Sequence, residues 1–244
     1  MHRFYADENR LLVGSAYLTV EDARHATRVL RMAPGDQAEV FLNGRRYLGE
    51  ISDMAGEDVA LRLLSELPST EARLRVTLYQ GLPKADKMEL IIQKAVELGA
   101  ESIVPVAMSR CVVRLDERDG RKKQERWQKI AREACKQSGR CEMPAVDAPV
   151  SFRELLARLP GHDAALVPWE DARGYSLNRF RQERPDITNL AIVIGPEGGM
   201  SADEVAEMEA AGCRPITLGP RILRTETAGL AAIAALMCLY GEMT

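Results

Sequence analysis

Cysteine and histidine are scarce in this sequence, and neither is arranged to build a site. The five cysteines, at 111, 135, 141, 213 and 238, form an odd set without a CxxC pair, and His2, His25 and His162 lie far apart. A disulfide framework and a zinc centre are therefore excluded, and we expect reduced packing thiols and no metal. There is no GK[ST] and no GxGxxG, so the two common phosphate cradles are missing. Residues 228–240 make the longest uncharged apolar run, which is shorter than the roughly 18 residues of a membrane span. No membrane association is expected. The amino-terminal MHRFYADENRLLVG lacks the apolar stretch of a secretory signal, which predicts a cytosolic protein. Excess charge of either sign is absent too: 33 basic residues against 36 acidic give −3, excluding a general polycation that coats nucleic acid.

What is present is ordinary globular material, with 46% hydrophobic and 28% charged residues over 244 positions. Up to about residue 72 the pattern is of short strands and tight turns. QAEVFL and RRYLGEI flank Asn43-Gly44, a strong hairpin signal, and DVALRLL follows as a further strand. One helix interrupts them, opening at Thr19 with Asp22 three residues on and running through His25 to Leu30. The turn-rich, apolar-poor stretch 68–72 separates this small β-barrel, residues 1–72, from a second domain, residues 73–244.

In the second domain strands alternate with helices. LRVTLYQ precedes a helix over about 86–98, SIVPVAM precedes one over 121–138, and the strands DAALV, LAIVI and RPITL come next. Continuous apolar strands between amphipathic helices imply an α/β domain with a mostly parallel sheet covered on both faces. The last helix, residues 226–240, is apolar nearly all round and must be buried in the core or in a subunit interface, with Gly229, Ala231, Ala234 and Ala235 permitting close approach.

Each of the last three strands runs into a loop rich in glycine or proline: Val167-Pro168-Trp169-Glu170, Gly195-Pro196-Glu197-Gly198-Gly199, and residues 218–225 (LGPRILRT). Such loops gather at the carboxyl ends of parallel strands, where ligands bind. Gly198 and Gly199 would let a ligand approach the backbone, and Ser201 with Glu204 makes a capping box that opens the next helix. Aliphatics at Ile194, Leu218, Ile222, Leu223 and Ala228 suit an adenosine without phosphates. Basic residues concentrate elsewhere: residues 110–140 hold 11 Lys or Arg against 5 Asp or Glu. Lys122, Arg126, Lys129 and Lys136 share one helical stripe that could track a phosphate backbone. Every basic residue of the barrel is an arginine, although acidic residues outnumber them there.

Taken together, Arg3-Phe4-Tyr5, residues 25–32 (HATRVLRM), 81–99 (GLPKADKMELIIQKAVELG), 195–200 (GPEGGM) and 218–228 (LGPRILRTETA) resemble the bacterial RsmE family of SPOUT-class methyltransferases. The resemblance is nearly end to end and keeps the motif order. It implies S-adenosylmethionine-dependent methylation of N3 of a uridine in small-subunit ribosomal RNA, free or in the assembled subunit. It also implies a PUA-like barrel, an α/β domain ending in a trefoil knot, and a homodimer. The cofactor contacts expected are Val167, Pro168, Ile194, Gly195, Pro196, Glu197, Gly198, Leu218, Gly219, Ile222, Leu223, Thr225 and Ala228. For RNA they are Arg3, Arg10, Arg24, His25, Arg28, Arg31, Lys84, Lys87, Arg110 and Arg140.

Uracil N3 is an imide nitrogen that attacks only after losing its proton. A base could remove that proton, with Glu197 and Glu226 as candidates, or a cation could stabilise the anion, with Arg224 or Arg221 as candidates. The competing readings are methylation of another base or of a ribose 2′-hydroxyl, and a non-catalytic RNA-binding protein of ribosome assembly.

Overall fold

The computed structural model describes residues 1–243; Thr244, the last residue of the expected second domain, lies outside them. The chain divides into two compact units, Met1–Glu71 with Cys135–Met143, and Ala72–Ala134 with Pro144–Thr244.

The first unit is a closed five-stranded barrel. Its strands are β1 (His2–Leu12), β2 (Ser15–Leu18), β3 (Gln37–Leu42), β4 (Arg45–Ala55) and β5 (Asp58–Leu67), in the order β1-β2-β5-β4-β3. A parallel pairing of β1 with β3 closes it, with Phe4 opposite Val40. Asn43 and Gly44, both with positive φ, make the turn that sets β3 against β4, Leu42 facing Arg45. Phe4, Leu18, Val40, Ile51 and Leu61 are among the side chains that fill the interior.

The helix expected from Thr19 to Leu30 is broken. Helix α1 (Val20–Arg24) starts where the Thr19 hydroxyl accepts from the Asp22 N–H, and a π-turn over His25–Val29 replaces its continuation. The Thr27 hydroxyl donates to the carbonyls of Ala23 (2.9 Å) and Arg24 (3.2 Å), competing with the backbone ladder. Leu30 then bonds five residues back to His25, and Arg31 ends the turn with φ +53°. Asp22 is 1% exposed. It accepts from the Tyr5 N–H at 2.7 Å and pairs with Lys136 at 2.5 Å.

The second unit is a parallel sheet flanked by helices. In chain order it contains β6 (Arg75–Gly81), α2 (Lys87–Glu97), β7 (Ala100–Ala107), α3 (Glu117–Ser138), β8 (Ala145–Val146), β9 (Val150–Ser151), α4 (Phe152–Arg158), β10 (Ala164–Pro168), α5 (Leu177–Glu183), β11 (Asn189–Ile194), α6 (Ala202–Ala210), β12 (Cys213–Ile216) and α7 (Thr225–Leu239); the last turn of α3 groups with the barrel. The sheet order is β12-β10-β11-β6-β7-β8, with β9 also on β7, and every pairing is parallel. Helix α3 starts four residues before the expected position because Asp116 caps it, accepting from the Asp119 N–H at 2.8 Å. Helix α7 buries Thr225, Gly229, Ala232, Ile233, Leu236 and Met237, while Leu230, Ala231, Ala234 and Ala235 on its other side are only half covered.

Burial raises the Cys111 thiol and pushes Cys135 up to about 11 and Cys213 up to about 12. No helix among the described residues is long and apolar enough to cross a membrane, and no three His, Cys, Asp or Glu side chains among them group to hold a metal ion.

Candidate active site

The loops that follow β10, β11 and β12 converge on one cleft of about 1140 Å³ at the carboxyl ends of those strands. Of the expected cofactor residues, Pro168, Ile194, Gly195, Pro196, Glu197, Gly198, Leu218, Gly219, Ile222, Leu223, Thr225 and Ala228 all line it, as do Arg221 and Arg224. Val167 does not: it is fully buried within β10, one residue short of where the strand opens. Sequence reasoning stopped the first loop at Glu170, whereas Asp171, Ala172, Arg173 and Gly174 also face the cleft. The only signal for those residues was their continuation of a strand-end loop.

The cleft holds an ion cluster that no motif announced. The Lys87 ammonium lies 3.2 Å from both Glu197 and Glu226, and the Lys84 backbone N–H donates to Glu197 at 3.0 Å. The start of α2, the loop after β11 and the first turn of α7 are thereby tied together. Burial alone would raise the Glu197 carboxyl. Backbone N–H groups, its own and that of Lys84, together with the Lys87 ammonium, hold it below the usual carboxylate range. Glu226 is lowered mainly by its own backbone N–H at the helix start, then by Lys87 and Arg224, and Lys87 is raised by both glutamates.

All three groups are therefore charged at neutral pH, and two carboxylates with depressed pKa values are weak bases. The depressed carboxyls favour the folded cleft above their unfolded pKa and lose that effect as pH falls through their folded values. The raised lysine favours it below its unfolded pKa and loses the effect as pH rises through its folded value. The affinity of the cleft for a ligand should accordingly stay flat between about pH 6 and 9 and fall only outside that window, as titration calorimetry across the range would show.

Tight packing shapes the loop after β11. A Cβ on Gly81, at the end of β6, would lie 2.6 Å from the Pro196 nitrogen, and one on Gly198 would lie 3.1 Å from both the Cβ and the carbonyl oxygen of Arg110. Gly198 thus makes room for the chain after β7 while its backbone lines the cleft. Arg110 also donates to the Gly198 carbonyl at 3.2 Å, which makes it part of the cleft's scaffold. The Ser201–Glu204 capping box forms as expected, and Glu204 also accepts from the Ser109 N–H at 2.8 Å.

The residues expected to contact RNA separate into pinned and free. Arg3 donates to the carbonyls of Lys136 and Gln137, Arg10 is bidentate on Asp58, and Arg24 is bidentate on Glu57. Arg140 is buried against Glu71 at 2.7 Å, and Lys87 belongs to the ion cluster. On the α3 stripe, Lys136 is taken by Asp22, Arg126 by Glu89 at 2.7 Å, and Lys122 sits 3.7 Å from Asp119. His25, Arg31 and Lys84 are exposed, and Arg28, 72% exposed, makes only a 3.4 Å contact with Glu57.

Residues 70–237 match the RNA methyltransferase domain family, and residues 18–64 match the RNA methyltransferase PUA domain. The ribosomal RNA small subunit methyltransferase E of Bacillus subtilis is 36% identical over 97% of this chain and 96% of that protein, and its counterpart in Mycobacterium bovis is 32% identical over 95% and 89%. Among solved structures, the ribosomal RNA small subunit methyltransferase E of Neisseria gonorrhoeae bound to S-adenosyl methionine matches with a TM-score of 0.86 and 35% identity, covering 98% of each chain.

Proposed function

The chain belongs to the ribosomal RNA small subunit methyltransferase E family, and from that premise we propose that it methylates N3 of one uridine in small-subunit ribosomal RNA. It is an S-adenosylmethionine-dependent ribosomal RNA methyltransferase with a PUA-type RNA-binding module. The observation that carries the finer reading is the composition of the cleft. Its walls are strand-end loops with aliphatic side chains, it has no phosphate motif, and it mixes the acidic Glu170, Asp171 and Glu197 with the basic Lys87, Arg173, Arg221 and Arg224. Those features fit a nucleoside without phosphates. Ile194, Leu218, Leu223 and Ala228 would cover the adenosine, with the backbone of the loops after β11 and β12 at its edge.

When bound, S-adenosylmethionine supplies a methyl group on a positively charged sulfur. In the transfer an N3–C bond forms as the S–C bond breaks, and the N3 proton must already have left. Arg224 caps α7 on the cleft wall, exposed and with no carboxylate in ion-pair range among the described residues. It stabilises the uracil anion and so favours loss of the proton to water. Glu197, anionic and clamped by Lys84 and Lys87, orders the loop instead of taking the proton.

On the barrel, His25, Arg28 and Arg31 form the outward face of the π-turn and contact RNA phosphates. Replacing Arg28 and Arg31 by alanine should weaken RNA binding and reduce the log–log salt slope by about 0.7–0.9 for each lost contact, leaving cofactor affinity unchanged. A salt titration of binding to a small-subunit RNA fragment measures this.

The half-covered apolar side of α7 supports a homodimer, which sedimentation equilibrium tests. The contact between the start of α7 and the loop after β11, where the Thr225 hydroxyl donates to the Gly195 carbonyl at 2.6 Å, supports the trefoil knot. A ribosomal RNA substrate supports a cytosolic location. To test the function itself, small subunits and free RNA from a strain lacking this activity are incubated with the protein and labelled S-adenosylmethionine, then digested and mapped by mass spectrometry. Label on N3 of one uridine is expected. Label on a ribose or another base would overturn the N3 assignment, and no label together with no cofactor binding would make the chain a non-catalytic RNA-binding protein.

A further inference from the structure

Beneath the cleft runs a chain of buried polar groups outside the ion cluster. Gln80, at the end of β6, is fully buried. Its Nε2 donates one proton to the Gly81 carbonyl at 3.0 Å and the other to the Thr225 hydroxyl at 2.8 Å. Thr225 is the first residue of α7 and donates its single proton to the Gly195 carbonyl at 2.6 Å. Every proton has one destination, so the chain has a direction, from amide to hydroxyl to carbonyl. A flipped amide would place its oxygen against the Gly81 carbonyl and would draw the hydroxyl proton away from Gly195.

Among the described residues the Gln80 Oε1 has no hydrogen-bond partner, and it lies on the side of Gly229, where a Cβ would come within 3.7 Å. The donor that runs through Thr225 ends on Gly195, whose peptide with Pro196 opens the turn that closes with the Gly199 N–H on the Pro196 carbonyl at 2.9 Å. The turn is gripped sterically as well. Gly81 presses on Pro196 from one side, and Met200 leaves no room for a Cβ on Gly195, the nearest atom being 2.8 Å away. Sterics prevent the peptide from moving sideways, and the polar chain fixes its rotation.

We propose that Gln80 and Thr225 are positioning residues for S-adenosylmethionine, with Gln80 acting through Thr225 to orient the Gly195–Pro196 peptide and the turn that follows. The proposal rests on the reading of the cleft as the cofactor site. It separates Thr225 from the other lining residues, because its hydroxyl is spent on the protein.

The test is titration calorimetry with S-adenosylmethionine on the full chain, with thermal midpoints and steady-state kinetics alongside. Thr225→Val keeps the shape and removes the hydroxyl, and it should weaken cofactor binding by at least about tenfold, the scale of one buried group left unpaired. Thr225→Ser keeps the relay and should stay within about threefold of wild type. Gln80→Met should match Thr225→Val, and the double variant should be no worse than the weaker single one, because both break one chain. KM for the cofactor should rise while kcat at saturation stays within about threefold. If Thr225→Val does not fold, Thr225→Ala takes its place.

Wild-type affinity in Thr225→Val, effects of the two single variants that multiply in the double, or a fall in kcat at unchanged KM would each overturn the proposal. Absence of binding by the wild-type protein would instead overturn the assignment of the cleft.

Discussion

Arg224→Ala should lower the single-turnover rate of methylation by about 10²–10³, the usual cost of removing one group that stabilises charge developing at the reacting atom. Cofactor affinity should change little, because Arg224 makes no hydrogen bond or ion pair in the clamp formed by Lys84, Lys87, Glu197 and Glu226 and acts on it only through its charge beside Glu226. The pH profile identifies the cause. Without the guanidinium the imide keeps its proton to higher pH, so the deficit should shrink as pH rises toward the pKa of free uridine, where the nucleophile arrives already ionised. Arg224→Lys retains the charge but not the planar fork and should fall between the two. Parallel pH profiles, or equal kcat values, would leave Arg224 as a cap on α7 without a chemical role.

Gly81→Ala should abolish measurable cofactor binding and cost about 1–3 kcal/mol of stability, the range for overpacking a well-packed site. The new Cβ would meet the nitrogen and Cδ of Pro196 at 2.6 and 2.7 Å and the Gly195 carbonyl carbon at 3.0 Å. Proline ring and backbone atoms cannot swing aside, so the turn itself must move. Gly198→Ala provides the comparison: its nearest atoms, both of Arg110, lie at 3.1 Å, a tight contact that a small shift of the chain after β7 relieves. Calorimetric titration and thermal melts on both variants should place Gly81→Ala far below Gly198→Ala. Equal affinities would show that the crossing of β6 with the loop after β11 yields more easily than its distances indicate.

The elements readable in the sequence were those with a local cause. Asn43-Gly44 announced its hairpin, Ser201 with Glu204 announced α6, and the uninterrupted apolar run at LAIVI announced β11 as a strand buried on both faces. Strand-end loops bearing glycine and proline led to most of the residues lining the cleft. What stayed hidden depended on partners distant in sequence. Nothing near Lys87 shows that it will meet Glu226 139 positions away, and nothing near Gln80 points to Thr225 145 positions away. The barrel arginines show the limit from the other side. Guanidinium groups that looked available for phosphate are mostly spent on Asp58, Glu57 and Glu71, because charge composition reports which groups exist and says nothing of their pairing. The π-turn was missed because the Thr27 hydroxyl acts on carbonyls three and four residues back, an interaction that leaves the apolar spacing of the segment unchanged.

The barrel unit is assembled from two stretches of chain that 63 intervening residues, Ala72–Ala134, keep apart. During synthesis its strands leave the ribosome well before Cys135–Met143 does. Until then the carboxylate of Asp22 has no Lys136, and that of Glu71 has no Arg140. A buried carboxylate deprived of its cation is destabilising by about 3–5 kcal/mol, a large part of what a domain this small can hold in reserve. The nascent barrel should therefore gain its full stability only after β6, α2, β7 and most of α3 have been made and Cys135–Met143 has followed. A fragment that stops at residue 72 lacks both cations.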